Sequence, residues 1–293
     1  MRRPIKIIPR SLQTEVGTPE PPDESPGVPE PPVNAVLRFD DVEEQISLIS
    51  TALGVPSDLT VRRISDGIAC LFLSPLADQG AIRHSLVEPL SKSSWLELQE
   101  KGQAARVLPV ADVSEARSVE AAVDRVAEGE IALIVHGRAT PYTLDLRGRV
   151  ARQISPPISE PSVRGPRDSF TERLSDNLAL VRQRIRNRKL RVRELTVGRD
   201  THTKVAVCYL EGPSSPEMVD AVIQRLAAVT TPAVVDSSYL VPYLSKRTWS
   251  LFPPAAATER ADRACAAIVQ GRIVVICDNS PFALVMPIHL VTL

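Results

Sequence analysis

Apolar positions along this 293-residue chain follow two rhythms. In IALIV (131–135), IVVIC (273–277) and VAVCYL (205–210) every position is apolar or nearly so. Such runs belong to strands in the middle of a sheet that is covered on both faces. Elsewhere apolar residues recur at spacings of three and four, the stripe of a helix docked on a core. This rhythm predicts helices over about 40–53, 114–128, 169–187 and 216–229. The third is the best marked, with Phe170, Leu174, Leu178, Val181 and Ile185 on one stripe. Ser169 and Glu172 read as a capping box at its start, and Asn187 as its cap at the end. In ATERADRA, Thr258 is the candidate N-cap of a final helix.

The predicted elements come twice. VAEGEIALIVHGRATPYTL (126–144) and IVQGRIVVICDNSPFAL (268–284) each read as a helix end, a stopping glycine (Gly129 or Gly271), an apolar strand, a polar turn, a proline with an aromatic, and a returning strand. LTVRRISDGIACLFL (59–73) and LRVRELTVGRDTHTKVAVCYL (190–210) precede them, each a hairpin whose second strand is apolar on both faces. A third echo, SKSSW at 91 and SKRTW at 245, differs in spacing between the halves. The fold class expected is α/β: two similar lobes from an internal duplication, each a small mixed sheet flanked by helices. The boundaries expected are a flexible Pro-rich tail over 1–35, a first lobe over 36–155 and a second over 156–293. The tail carries TPEPPDESPGVPEPP, which is too polar and proline-rich to bury a core. Between the lobes runs LRGRVARQISPPISEPSVRGPRD (146–168); its prolines stiffen the joint, and Arg164 and Arg167 are placed to bridge carboxylates or carbonyls of either lobe.

Composition narrows the function classes. At 43% hydrophobic and 24% charged residues the chain is an ordinary globular protein. Its 35 basic and 35 acidic residues cancel, so the overall balance points to neither nucleic acid nor an anionic membrane. The four cysteines lie in apolar patterns without paired spacing, which reads as reduced, buried thiols. No apolar run reaches the roughly 18 to 20 residues of a membrane span.

The search for chemistry returns little. His84, His136, His202 and His289 are scattered, so no metal set is expected, and no nucleophile elbow or phosphate loop is present. GRDTHT (198–203), with Arg199, is the nearest thing to a phosphate cradle, and a hairpin turn explains it more simply. Asp278, Asn279 and Ser280 read as a turn before Pro281. The basic run RQRIRNRKLRVR (182–193) rings its helix and has no interleaved aromatics, so it reads as a solvated helix end rather than a nucleic-acid site. No catalytic residues and no cofactor are expected.

EPSVRGPRDSFTERLSDNLALVRQRI, VRELTVGRDTHTKVAVCYL and FPPAAATERADRACAAIVQGRIVVICDNSPFALVMP, which span most of 160–287, resemble the A subunits of the GerA family of bacterial spore germinant receptors. The resemblance implies a membrane receptor subunit whose soluble N-terminal region lies on the cytoplasmic side of the spore inner membrane. Its implied partners are a transporter-like B subunit and a lipoprotein C subunit, and its role is in nutrient-triggered germination. The chain ends where the family enters the membrane, so it is expected to be the isolated soluble domain. The family's usual proline is Ala261 here, and a stage V sporulation protein of the same family shares the motifs. Two readings follow: a domain that relays or assembles, with the RGPR stretch fixing lobe orientation, or a two-lobed module closing on a small nutrient. The residues expected to serve ligand binding, inter-lobe contact or assembly are Arg164, Gly165, Pro166, Arg167, Glu172, Arg199, Glu259 and Arg260.

Overall fold

The structure is a computed structural model that describes residues 41–91, 95–99, 104–110, 112–148, 160, 166, 168–244 and 255–287. The chain divides into two units, 1–37 and 38–293, and every described residue lies in the second. The expected tail, both copies of the SK-x-x-W echo in the main, and Arg164, Gly165 and Arg167 of the joint lie outside the described residues.

Within the second unit the elements repeat in the same order. The first lobe runs α1 (Val42–Ala52), β1 (Leu59–Ser65), β2 (Ile68–Leu73), a series of short helical turns, β3 (Val113–Glu115), α2 (Val119–Ala127), β4 (Ile131–Val135) and β5 (Tyr142–Leu144). The second lobe runs α3 (Leu174–Arg184), β6 (Leu190–Val197), β7 (Thr203–Leu210), α4 (Pro216–Ala227), β8 (Ala256–Thr258), α5 (Ala261–Val269), β9 (Ile273–Cys277) and β10 (Ala283–Met286). Strand orders are β1-β2-β4-β5-β3 and β6-β7-β9-β10-β8, the same wiring in both sheets. Registers match too: Ala69 faces Ile134 as Ala206 faces Ile276. The internal duplication is thus complete at the level of topology.

All strand pairings in the two sheets are antiparallel, where a mixed sheet was expected. The apolar runs signal burial on both faces and say nothing of strand direction. Each sheet is covered twice, so its central strands need no polar face. Ala69 and Leu71 pack beneath α1 and α2, while Cys70 and Phe72 pack with Ile82, Leu86 and Leu90 on the other side. In the second lobe Ala206 and Cys208 face α3 and α5, and Val205 and Val207 face α4 and Leu240.

Gly129 and Gly271 stop α2 and α5 as expected, with φ of +101° and +83°. Gly129 N donates to Val126 O and Glu130 N to Arg125 O; Gly271 and Arg272 repeat the pattern with Ile268 and Ala267. Both are Schellman closures, which need the left-handed conformation glycine supplies.

The helix starts differ from expectation. The stripe of α3 is buried as predicted, from Phe170 to Ile185. The helix, however, begins at Leu174 rather than at the Ser169–Glu172 box, and it ends with Ile185 as C-cap rather than Asn187. Ser169 instead bridges Arg260 as extended chain, and Leu174 N donates to Asp278 Oδ1 at 2.9 Å. The orphan N–H is satisfied from a distant turn, so no local box forms. Likewise α5 starts at Ala261, and Thr258 belongs to β8 instead of capping it. At 113–115 the chain pairs with β5, leaving α2 shorter than the segment from 114 that was expected to be helical.

Candidate functional site

The lobes meet where the loop 53–58, which joins α1 to β1, lies against β6. As the edge strand of its sheet, β6 has backbone groups to spare. Ser57 N donates to Val192 O at 2.9 Å, and Glu194 N donates to Ser57 Oγ at 3.0 Å. Arg191 Nη1 donates to Leu53 O across the same seam. Gly54, at φ +70°, leaves room for the Arg191 guanidinium, which a Cβ there would strike.

At the centre of the seam lies an ion pair. Arg182 Nε and Nη2 donate to Asp58 Oδ2 and Oδ1 at 2.9 and 2.8 Å, and Nη1 donates to Leu190 O at 3.1 Å. Both side chains are 1% exposed. The planar guanidinium matches the carboxylate two bonds to two, a geometry lysine cannot supply. Arg182 opens the basic run expected to be solvated, and for this residue the expectation fails. Sequence alone shows that the run rings the helix and not that one arginine meets a carboxylate 124 positions away. The clue available was the position of Arg182 directly after Val181 on the buried stripe.

Beside this pair opens a cleft of about 590 Å³, lined from both lobes by Ser57, Asp58, Ser74 and Pro75 on one side and by Glu172, Arg173, Glu194, Lys204, Asp278 and Asn279 among others on the other. Burial pushes the Glu194 carboxyl above its ordinary range; Asp58 adds to the rise and Lys204 opposes it. The floor is the start of α3, held by Asp278 Oδ1 and by Asn279 N donating to Glu172 O at 2.7 Å. Asn279, at φ +64°, adopts the left-handed turn that asparagine tolerates better than most residues. Two residues read from sequence as a mere turn therefore line the cleft.

The other expected site residues are distributed more widely. Pro166 is exposed, and Glu172 is an exposed residue at the cleft mouth. Arg199 sits in the β6–β7 turn against Asp200, away from the cleft lining. That turn is no phosphate cradle: Arg199 N and Asp200 N are already bonded to Thr231 O and Pro232 O. Glu259 is buried and accepts from Glu160 N through Oε1 at 2.9 Å, while Arg260 pairs with Asp262. Glu160 in turn accepts from Thr258 Oγ1 at 2.7 Å and Arg263 Nη1 at 3.1 Å. The joint is thus clamped at Glu160 to the β8–α5 corner, which links Glu259 to the joint though not to the cleft.

Among the described residues no group of histidine, cysteine and carboxylate side chains has metal-binding geometry. Cys70, Cys208, Cys265 and Cys277 are buried free thiols. Desolvation pushes all four up, Cys70, Cys265 and Cys277 to about 12, so none is a poised nucleophile. No helix among the described residues is long and apolar enough to cross a membrane.

A similar fold is found in a known structure. The N-terminal domain of the A subunit of the Bacillus megaterium spore germinant receptor GerK3 superposes with a TM-score of 0.61 at 23% identity, over 86% of this chain and 97% of that one. Spore germination protein KA of Bacillus subtilis (strain 168) is 27% identical over 260 residues, 86% of this chain and 48% of that protein. Stage V sporulation protein AF of the same organism is 28% identical over 241 residues, 80% of this chain and 49% of that protein. This chain therefore spans about half the length of these curated relatives. The family model described as Bacillus/Clostridium GerA spore germination protein matches residues 47–293, both lobes together, and the chain belongs to that family.

Proposed function

We propose that this chain is the cytoplasmic-side region of a spore germination receptor A subunit, and that it passes the germination signal as one stiff body rather than as two hinged lobes. The observation that carries this reading is the buried, bidentate Asp58–Arg182 pair across the lobe seam, backed by the Ser57 bonds to β6. A seam of this kind cannot open without exposing two charges that are satisfied by each other. The proposed partners are the transporter-like B and lipoprotein C subunits, with the spore inner membrane as the site of action. Arg182→Ala tests it in spores whose full-length subunit carries the change. Nutrient-triggered germination should be lost or slowed while the subunit is still present in the membrane; normal germination with that variant would refute rigid coupling through the seam.

The cleft favours a second reading, direct sensing of a small nutrient. Its walls bring Glu194, Lys204 and Arg173 together in a volume suited to a small polar molecule. Thermal shift of the chain against amino acids, sugars and nucleosides decides between the two. A saturable rise in Tm that Glu194→Gln abolishes would support sensing; no shift at millimolar ligand leaves recognition to the partner subunits.

A further inference from the structure

Register fixes what lies at each end of the second sheet. Leu190 pairs with Leu210, Cys208 with Val274 and Ile273 with Met286. The start of β6, the end of β7, the start of β9 and the end of β10 therefore share one end. Lys204, Asp278 and Asn279, which line the cleft, belong to the opposite end. Pro287, the last described residue, leaves β10 at the first of these ends. Two turns come with it: 185–189, which runs from α3 into β6, and 270–272, which runs from α5 into β9.

Positive charge gathers there although the chain as a whole is neutral. Arg186, Arg188 and Lys189 are exposed, and Arg272 is half-buried on the neighbouring turn. No carboxylate among the described residues pairs with any of the four; Glu211 is paired with Arg191, and Asp168 with Arg184. The helix macrodipole accounts for a cation in the last turn of α3, such as Arg184. It does not account for Arg188 and Lys189, which lie beyond the Ile185 cap. Val269, the last residue of α5, is 57% exposed beside the second turn. An exposed apolar side chain among unpaired cations matches the surface of an anionic bilayer, whose headgroups take the charge and whose boundary takes the apolar group. Nucleic acid fits less well, because neither turn carries an aromatic side chain for stacking.

We propose that this end of the second lobe docks on an anionic phospholipid surface through Arg186, Arg188, Lys189 and Arg272, with Val269 at the headgroup boundary. The docking face rests on the receptor reading above only for the presence of a membrane. The cleft, at the far end of the same sheet, then lies on the side away from the lipid. Four cations, each worth about fivefold in partitioning, give binding in the millimolar range of accessible lipid. In a subunit already anchored in a membrane, a contact of that strength orients the lobe rather than recruits it.

Co-sedimentation of the 293-residue chain with vesicles tests it. On vesicles of equal parts phosphatidylglycerol and phosphatidylcholine at low salt, binding should reach half at about 1 mM lipid. It should fall as salt is raised and be absent on phosphatidylcholine alone. Arg186→Glu with Arg188→Glu and Lys189→Glu should weaken it by about a hundredfold, and the milder Arg188→Gln with Lys189→Gln by about tenfold. Arg62→Glu with Arg106→Glu and Arg117→Glu changes the net charge equally through exposed residues of the first lobe, and should leave binding within about threefold of the parent. Melting curves check that each variant is folded. No binding to the anionic vesicles at about 10 mM lipid overturns the proposal, and so does an equal loss in the two triple variants, which would reduce the effect to net charge. Release by inorganic phosphate at constant ionic strength also overturns it, because that marks a single-phosphate site in place of a surface. The vesicles hold no receptor partner, so these outcomes stand apart from the relay, which the Arg182→Ala spores test.

Discussion

Glu194 is the residue whose chemistry the cleft alters most directly. Its carboxyl is raised by burial, so the folded state prefers the protonated form. Stability from this group is therefore fully present below the ordinary glutamate range and is lost as pH climbs through the raised value. Glu194→Gln removes that loss. The variant should melt higher than the parent at pH 7 and lose its advantage at pH 4, which melting curves at the two pH values would show; an advantage largest at pH 4 would mean that Lys204 holds the carboxylate ionised. Single residues were the least legible part of the sequence. Glu194 is one polar position in an alternating strand, and only the arrival of Ser57 and Asp58 from the other lobe turns it into a cleft residue.

Helix ends decide the next scale. The start of α3 is capped by Asp278, 104 positions away, and not by its own neighbours. Asp278→Ala should cost about 1 kcal/mol by chemical denaturation, the usual worth of a lost N-cap. Ser169→Ala should cost less, since the N–H at the start of α3 is already bonded to Asp278; equal losses would mean that the local box forms after all. The buried stripe of α3, the fully apolar strands and the two glycine stops were all legible, because each depends on local spacing or on one residue's backbone freedom. The start of α3 was not, because a box of the right residue types is only one way to satisfy an N–H, and the turn after β9 reaches it first. Strand direction was hidden for a related reason: an apolar run records what covers it and not which way its neighbour runs.

For the whole molecule the seam sets the stability that the lobes share. Removing one partner of the Asp58–Arg182 pair leaves a buried charge alone, so Asp58→Ala or Arg182→Ala should each cost about 3–5 kcal/mol. In a chain of this size that is a fall in Tm of about 10 °C. Replacing both with apolar residues of similar volume, Asp58→Leu with Arg182→Met, should recover most of the loss; a double variant as unstable as either single one would show that packing rather than charge holds the seam. The duplication itself was legible from two pairs of matching segments, and the identical strand orders bear it out. The RGPR stretch, expected to join the halves, lies mostly outside the described residues, and the buried ion pair of the seam, Asp58 with Arg182, was not legible because its partners are 124 positions apart. The strand wiring carries one more consequence. In both sheets the third strand in chain order pairs only with the last strand, at the far edge, so the stretch before it crosses the sheet and its helices cover one whole face. The central four strands neither thread through that excursion nor depend on its length. It is there that the two halves have drifted furthest, short helical turns in one and α4 in the other, so one face of each core tolerates different helices so long as they stay apolar on the sheet side, and the exposed turns between them are where new sequence can be spliced in.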